Sequence, residues 1–491
     1  MDRGLRAAPP AGAAGLSRRV WIGLTLAGLV PRFALALVFL RFPIGLDDMY
    51  QYDMLARSLA SGNGYRWYAA ADVLPIRPYL ERVYGWDFEN QDLPEKGFLT
   101  SHRAPGYPAF LAGIYALSGP EDRIAAARLA QAVLGAALAP LTAWLALRLG
   151  LAPRAARWSG LALALYPVLW MYPLGLGSEN LFLPLVLLSL IALLTSAERR
   201  QASSAIAPAI ALAAGVLTRS VLAAFLPFAA YWLYRRRGWR HAAVLLGVSA
   251  LAVLPWSIRN TLVNGRLTFI ENSGGYNMFI GYHPQGDGGF VAGIASIPLR
   301  FVEDAERDRW SWERALQFIR DDPSMVPIRV FHRLVFLAGL EDREMVYFYA
   351  NGYFGPIPQP WLALAYLILV LPWVAVAGTA PLGLAVAWGN SDTRHGASLV
   401  LGLVAATLIA YLPILAEPRF HLPLVAPLAC FAASVWARHR PPLALPNTPA
   451  RRAAWVALAV LLVLWSADIA RDAPVLIRVM SPGGDQLALS Y

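Results

Sequence analysis

Long apolar runs alternate with short polar connections along most of this chain. A helix needs about 20 mainly apolar residues to cross a bilayer, and eleven runs approach that length. A membrane β-barrel would instead have segments of about ten residues with alternating polarity. The pattern therefore predicts helical spans at residues 20–40, 123–147, 156–174, 180–197, 203–218, 220–234, 241–258, 361–387, 396–415, 420–437 and 453–470.

Arginine clusters between the runs predict the orientation of the chain. Cytoplasmic loops carry an excess of basic residues. Clusters at 199–200 and 235–240 flank residues 203–234, so the chain must turn near Arg219. With a cytoplasmic N-terminus, two long loops, 41–122 and 259–360, and the tail after Ala470 lie outside. This divides the chain into a tail (1–19), a transmembrane module (20–258), the second long loop (259–360), C-terminal helices (361–470) and an outer tail (471–491).

Both long loops contain amphipathic stretches that are too short or too polar to cross the bilayer. In residues 48–61, apolar side chains such as Tyr52 and Leu55 recur at helical spacing. We predict that this stretch and residues 105–118, 303–320 and 323–340 form helices on the membrane surface. Residues 63–103 are rich in aromatic residues and proline, which predicts an ordered lobe.

The composition supports a membrane protein and excludes several other classes. Of 491 residues, 57% are hydrophobic and only 15% are charged, whereas soluble chains carry about 25% charge. We expect an all-α polytopic protein of the cell (inner) membrane, in which the net charge of +11 marks cytoplasmic loops and not nucleic-acid binding. The single cysteine, Cys430, excludes an intramolecular disulfide. The first apolar run follows Arg18 and Arg19 and indicates a retained signal-anchor helix.

Ionisable residues at the predicted outer ends of the spans are functional candidates by default. Arginines bind phosphate through forked, charge-assisted hydrogen bonds, and a nearby carboxylate can act as a general base towards a hydroxyl. This combination on one face predicts transfer chemistry on a phosphorylated lipid. The candidates are Asp47, Asp48, His102, Arg103, Glu179, Arg219, Arg259, Asn260, Glu417 and Arg419.

Each candidate also has a structural interpretation. Asp47–Asp48 and Glu179 could cap helices, and Arg103 and Arg219 could anchor to lipid headgroups. Arg259–Asn260 could end a helix, and Glu417–Arg419 could be a local pair. Their joint occurrence on one predicted face favours function. The histidines show no metal-ligand spacing, so we expect no zinc site.

The segment LDDMYQYDMLARSLASGNGY resembles the first outer-loop motif of the GT-C superfamily of glycosyltransferases, which includes protein O-mannosyltransferases and bacterial lipid A aminoarabinose transferases. Asp48, Tyr52, Leu55, Ala56, Gly62 and Gly64 fit that motif. Later segments resemble further elements in the same order over roughly residues 20–440: RAPGYPAFLAGIYALSG, GLGSENLF, LTRS, LPWSIRN with GGYNMFIGYHPQGDGGF, and EPRFHLPLVAPL. The chain departs from the family in having Asp-Asp where Asp-Glu is common. It has one lysine, Lys96, so it lacks the phosphate-binding lysines of the aminoarabinose branch.

The resemblance implies a GT-C-like fold and an inverting transferase with a polyprenyl-phosphate-linked sugar as donor and an extracytoplasmic site. Asp48 would be the general base, Asp47 would tune it, and Glu179 would orient a substrate. Arg103, Arg219 and Arg259 would hold the donor phosphate. Supporting residues would be Tyr52, His102, Asn260, Glu417 and Arg419.

Several alternatives remain open at this point. Relatives with lipid-pyrophosphate donors hold a divalent cation with a D-x-D pair, and Asp-Asp here predicts activity without a metal or other cofactor. The acceptor could be a protein hydroxyl, a glycolipid or a wall glycan. A transporter or flippase of lipid-linked saccharides, or a non-catalytic scaffold, is the competing hypothesis.

Overall fold

The computed structural model describes residues 15–46, 48–88, 93–438 and 448–487. Asp47, most of the predicted N-terminal tail (1–14) and residues 488–491 of the predicted C-terminal tail lie outside the described residues. Within those ranges, eight helices are long and apolar enough to cross a membrane by length and composition. The chain is therefore a multi-pass membrane protein. These helices are Arg18–Val38, Gly106–Arg148, Glu179–Ser196, Trp239–Asn264, Gln359–Gly389, Ser391–Tyr411, Pro418–Trp436 and Pro449–Val479.

The other three predicted spans form shorter or broken helices. Residues 156–174 form Pro153–Ala164, Val168–Met171 and the 3₁₀ turn Tyr172–Leu174. Residues 203–234 form the helices Ile206–Thr218 and Phe225–Arg237, preceded by the 3₁₀ turns Ala202–Ala205 and Ser220–Ala224 respectively. Arg219 lies between them in an extended conformation (φ −144°, ψ 114°), so residues 203–234 form two helices with a break at this residue and not one long helix.

Side chains satisfy the backbone groups that such a break frees. A helix that ends within the membrane needs partners for its carbonyls, because lipid offers none. The fully buried Arg32 donates to the carbonyls of Leu163 (3.1 Å) and Ala164 (3.3 Å), and Trp170 Nε1 also donates to the Ala164 carbonyl (2.8 Å). The buried arginine therefore ties the first helix to the broken one.

The first long loop begins with the amphipathic helix Asp48–Ala60 and folds into the expected lobe. The strands Arg66–Trp67 and Phe98–Leu99 pair antiparallel, around short helical segments at Ala70–Val73, Leu74–Ile76, Arg77–Tyr79 and Leu80–Tyr84. The hairpin requires glycine at Gly97, which has φ +77° and whose added Cβ would lie 2.3 Å from the Trp67 carbonyl oxygen. The lobe therefore depends on a close backbone approach.

The second predicted surface helix of this loop is separated from its membrane neighbour by a break. The helical segment Gly106–Arg148 is interrupted at Gly119, where φ is 79° and ψ is 171°, and Pro120 follows. Only glycine adopts such a conformation readily. Residues 106–118 thus form an amphipathic segment distinct from the long helix after the break.

The second long loop packs against the first. It contains the helices Gly274–Tyr282, Ala292–Ser296, Asp304–Asp321, Met325–Ala338 and Arg343–Ala350, with the 3₁₀ turn Pro298–Arg300. Asp304 accepts hydrogen bonds from Thr100 Oγ1 (2.7 Å) and the Ser101 amide (2.6 Å) of the first loop. Trp86 Nε1 donates to the Leu299 carbonyl (2.9 Å). The two loops therefore form one layer over the membrane helices.

Small residues let the membrane helices approach closely, as is common in lipid. A Cβ added at Gly383 would lie 2.0 Å from the Phe431 carbonyl oxygen, so Gln359–Gly389 and Leu422–Trp436 touch backbone to backbone. The large apolar side chains of Leu26 and Val30 remain exposed on the first helix, as expected for a surface that faces lipid. The last described elements are the helix Pro449–Val479 and the short turn Gly484–Gln486. The helix extends beyond the predicted end of the last span at residue 470, so the first part of the predicted outer tail (471–491) is helical.

Candidate active site

A cavity of about 900 Å³ lies between the two long loops and the helix ends beneath them. Seven of the predicted site residues line it: Asp48, Tyr52, Arg103, Glu179, Arg219, Glu417 and Arg419. Another part of the wall is apolar and largely aromatic, and it includes Phe39, Phe42, Trp170, Tyr347, Phe348, Tyr353, Phe354 and Leu369. The cavity therefore joins a cluster of charges to a surface that suits a hydrocarbon chain.

Asp48 lies in the first turn of its helix, between two arginines. Arg103 Nη2 donates to Asp48 Oδ1, and Arg419 Nη2 lies 3.6 Å from Asp48 Oδ2. Gln51 Oε1 holds the Arg103 guanidinium with bonds of 3.0 Å from Nε and 2.8 Å from Nη2. Burial raises the pKa of Asp48, but Arg103, Arg419 and Arg219 outweigh it and hold that pKa below its usual range. The carboxylate is therefore ionised at neutral pH.

Glu179 and Arg219 form a second ion pair in the cavity wall. Glu179 is the first residue of its helix, where the helix dipole favours a negative charge. The Arg219 guanidinium donates to Glu179 Oε1 and to Ser178 Oγ (3.1 Å). The guanidinium carbon also lies 5.8 Å from the ring centre of Phe182 and 5.5 Å from that of Phe420. Arg219, at the break between two helices, thus lines the cavity.

Glu417 pairs with Arg419 and with a second arginine, Arg343, which the sequence did not indicate as a partner. Its buried carboxylate accepts a hydrogen bond from Arg343 Nη1 (2.8 Å) and forms an ion pair with Arg419, whose Nε lies 2.9 Å from Glu417 Oε2. Next to it, His421 Nε2 lies 3.0 Å from Glu341 Oε1, and the imidazole stacks on Trp373 at 4.0 Å between ring centres. Residues 341–343 thus support the segment that bears Arg419.

The two supporting residues of the first long loop have different surroundings. Tyr52 lines the cavity, with its ring centre 5.6 Å from the Arg103 guanidinium carbon. His102 does not line it, because its buried ring packs between Trp67 (5.2 Å) and Tyr276 (5.3 Å). Burial, with the nearby positive charges, lowers the pKa of His102 well below its usual range, so this imidazole is neutral.

The structure does not bring Arg259 or Asn260 to the cavity. The Arg259 guanidinium donates to the carbonyls of Thr100 and Tyr65 (3.2 Å for the latter). The amide of the fully buried Asn260 donates to the Ile270 carbonyl (2.8 Å). Both side chains are therefore hydrogen-bonded to backbone carbonyls. Through these bonds they join the two long loops to the helix Trp239–Asn264.

Sequence reasoning missed the polar residues that the second long loop contributes. Glu271, Tyr276 and Asn277 line the cavity, and Glu271 Oε1 accepts a hydrogen bond from Ser220 Oγ. Glu271 is a single acid in an irregular loop, so no spacing marked it. The only indication in the sequence was that Glu271 lies just before GGYNMFIGYHPQGDGGF, a segment that resembles the GT-C family.

No group of three or more histidine, cysteine, aspartate or glutamate residues within the described ranges is arranged to hold a metal ion. In the cavity, Asp48, Glu179 and Glu417 are each paired with arginine. Activity without a metal cofactor stays a prediction.

Residues 102–258 match a family model described as dolichyl-phosphate-mannose-protein mannosyltransferase. Comparison with curated proteins finds no match.

Two solved structures illustrate the structural similarity. The oligosaccharyltransferase of Archaeoglobus fulgidus, in the apo form, aligns with 95% of this chain at 14% identity and a TM-score of 0.50. This chain spans 58% of that protein's length. ArnT from Cupriavidus metallidurans, bound to undecaprenyl phosphate, aligns with 85% of this chain and 78% of its own length, at 15% identity and a TM-score of 0.39. The chain thus shares its fold with the oligosaccharyltransferase of Archaeoglobus fulgidus, and residues 102–258 match the model of the dolichyl-phosphate-mannose-protein mannosyltransferase family.

Proposed function

We propose that this chain transfers a sugar from a polyprenyl-phosphate-linked donor to an acceptor hydroxyl, with inversion, on the extracytoplasmic side of the inner membrane. The N-terminus is cytoplasmic in this proposal. The observation that carries it is the Asp48 carboxylate, held between Arg103 and Arg419 in a cavity with an apolar wall. The family signature over residues 102–258 supports a lipid-phosphate donor.

Three arginines supply the phosphate chemistry. Arg103, Arg219 and Arg419 all line the cavity, and planar guanidinium groups match phosphate oxygens in pairs. They would stabilise the charge that develops on the phosphate as it leaves. The sequence suggested Arg259 as the third phosphate ligand, but its guanidinium donates to backbone carbonyls. We therefore assign this role to Arg419.

In the proposed reaction, the acceptor hydroxyl oxygen attacks the anomeric carbon on the face opposite the phosphate. Its proton passes to the Asp48 carboxylate, and the bond between the anomeric carbon and the phosphate oxygen breaks with its electrons on that oxygen. The products are a glycoside and polyprenyl phosphate. Glu179 orients a substrate through its fixed pairing with Arg219.

The ion pairs give this mechanism an order of events. Arg103 and Arg419 already contact Asp48 in the cavity, so a bound phosphate would share these two arginines with Asp48. Weaker pairing raises the pKa of a carboxylate, which makes Asp48 a stronger base once the donor is in place. The donor would therefore bind first.

The experiment uses purified protein in liposomes with a panel of undecaprenyl-phosphate hexoses and candidate acceptors, and it follows the release of undecaprenyl phosphate. Asp48→Asn should lower the rate by about 10²- to 10⁴-fold while donor binding persists, because general-base assistance is lost. The matched control is Glu313→Gln, an exposed carboxylate of the second long loop.

Two outcomes would contradict the proposal in different ways. Equal rates for wild type and Asp48→Asn would remove Asp48 from the role of base. Movement of the lipid-linked sugar across the bilayer, without release from any donor, would favour a flippase.

A further inference from the structure

Glu271 is the one carboxylate in the described cavity wall that the proposed reaction leaves without a role. Asp48, Glu179 and Glu417 each form an ion pair with arginine. Among the described residues, Glu271 forms no ion pair, and its recorded partner is the Ser220 hydroxyl. A negative charge facing a cavity without a cationic partner favours a ligand rich in hydrogen-bond donors.

The backbone on both sides of Glu271 is fixed. The Ile270 carbonyl accepts from Trp256 Nε1 (2.7 Å) and from Asn260 Nδ2 (2.8 Å). The Asn272 amide donates to the Ser101 carbonyl (2.8 Å). Glu271 therefore projects from a rigid support, which is what a group that discriminates between ligands requires.

The position of Glu271 relates it to the proposed phosphate site. Its partner Ser220 directly follows Arg219 along the chain, and the charge of Glu271 helps to raise the pKa of Arg103. A carboxylate repels phosphate, so this part of the wall suits the neutral portion of the donor next to the phosphate. That portion is the sugar.

A carboxylate accepts about four hydrogen bonds through its two oxygens, and Ser220 supplies one. Adjacent sugar hydroxyls are pairs of donors spaced to reach both oxygens. Asn277, on the helix that follows, also lines the cavity and offers an amide that both donates and accepts.

We propose that Glu271, supported by Asn277, binds hydroxyl groups of the transferred sugar and so determines which sugar the protein accepts. This rests on the proposed function, since it takes the phosphate of the same donor to lie at the arginines.

The test measures the binding of two lipids to the full-length protein in nanodiscs: undecaprenyl phosphate and an undecaprenyl-phosphate hexose. Glu271→Gln should weaken binding of the hexose-bearing lipid by about tenfold, because it replaces a charged acceptor with a neutral one. Binding of undecaprenyl phosphate should not weaken, since this lipid has no sugar to contact Glu271 and the substitution removes a charge that repels phosphate. Glu313→Gln is the control and should change neither value.

Glu271→Asp keeps the charge but withdraws it by one methylene group. It should give an intermediate loss for the hexose-bearing lipid, and it provides a second variant if Glu271→Gln does not fold. An equal loss for both lipids, or a loss for neither, would overturn the role of Glu271. If wild type binds neither lipid, the proposed function itself fails, which is a different result from loss of sugar discrimination alone.

Discussion

Replacing Arg219 tests the reasoning about the cavity's ion pairs most directly. Arg219→Gln leaves the Glu179 carboxylate without its cationic partner. The Glu179 side chain is 6% exposed and that of Arg219 is 19% exposed, so water cannot easily take over the lost contact. Ser178 and the helix N-terminus remain as weaker partners.

The magnitude follows from that burial. Removing one partner of a buried ion pair costs about 3–5 kcal/mol, and the partial exposure of Arg219 places this pair at the lower end of that range. Glu179→Gln added to Arg219→Gln removes the uncompensated charge and lets two neutral amides pair. The double variant should therefore regain most of the stability.

The assay is thermal unfolding in detergent for wild type, both single variants and the double variant. Arg219→Gln should lower Tm by about 5 °C, and the double variant should unfold near the wild-type temperature. Binding of undecaprenyl phosphate should stay about tenfold weaker in both proteins that lack the arginine, because one charge-assisted hydrogen bond is lost. Arg199→Gln, at an exposed arginine, is the control.

Two results would refute the argument. If the effects of Glu179→Gln and Arg219→Gln on stability simply add, the side chains do not interact as described. If the double variant regains phosphate binding together with stability, Arg219 acts only as a structural partner of Glu179.

Three further predictions concern pH, metal and packing. Because arginines lower the pKa of Asp48, its pairing stabilises the fold fully above about pH 4 and is lost as the pH falls through the lower folded-state value. Measured from pH 3 to 7, the Tm of Asp48→Asn should therefore fall less steeply towards acid pH than the Tm of wild type. An equal slope in the two proteins would contradict this. Treatment with EDTA should leave the transferase rate within about twofold of the untreated rate, because arginines and not a cation hold the phosphate. A rate that is lost on treatment and restored by Mn²⁺ would disprove metal-independent activity. Gly281→Ala should cost about 1–3 kcal/mol of stability, since its Cβ would lie 2.0 Å from the Ile414 carbonyl oxygen, whereas Gly293→Ala, with nothing within 4 Å, should be neutral in the same melting experiment.

The sequence alone determined the features that depend on local patterns. Each predicted span overlaps a helix or a broken helix, and the break at Arg219 and the amphipathic helix Asp48–Ala60 follow from charge placement and apolar spacing. This works because a membrane segment must satisfy its own backbone hydrogen bonds and therefore forms a helix. The length of an apolar run in the sequence then predicts where such a helix lies. The grouping of charged residues on one predicted face was sufficient to select six residues of the cavity, and the family resemblance added Tyr52.

Only the tertiary structure decided which of these side chains meet and what they contact. Arg103 reaches Asp48 across 55 positions of the chain, and Arg343 reaches Glu417 across 74. Arg259 resembled the other arginines in the sequence, yet it binds backbone carbonyls away from the cavity, while the unremarked Glu271 lines it. The physical reason is that pairing between distant polar groups depends on how the helices and loops pack, and no local periodicity in the chain encodes that packing.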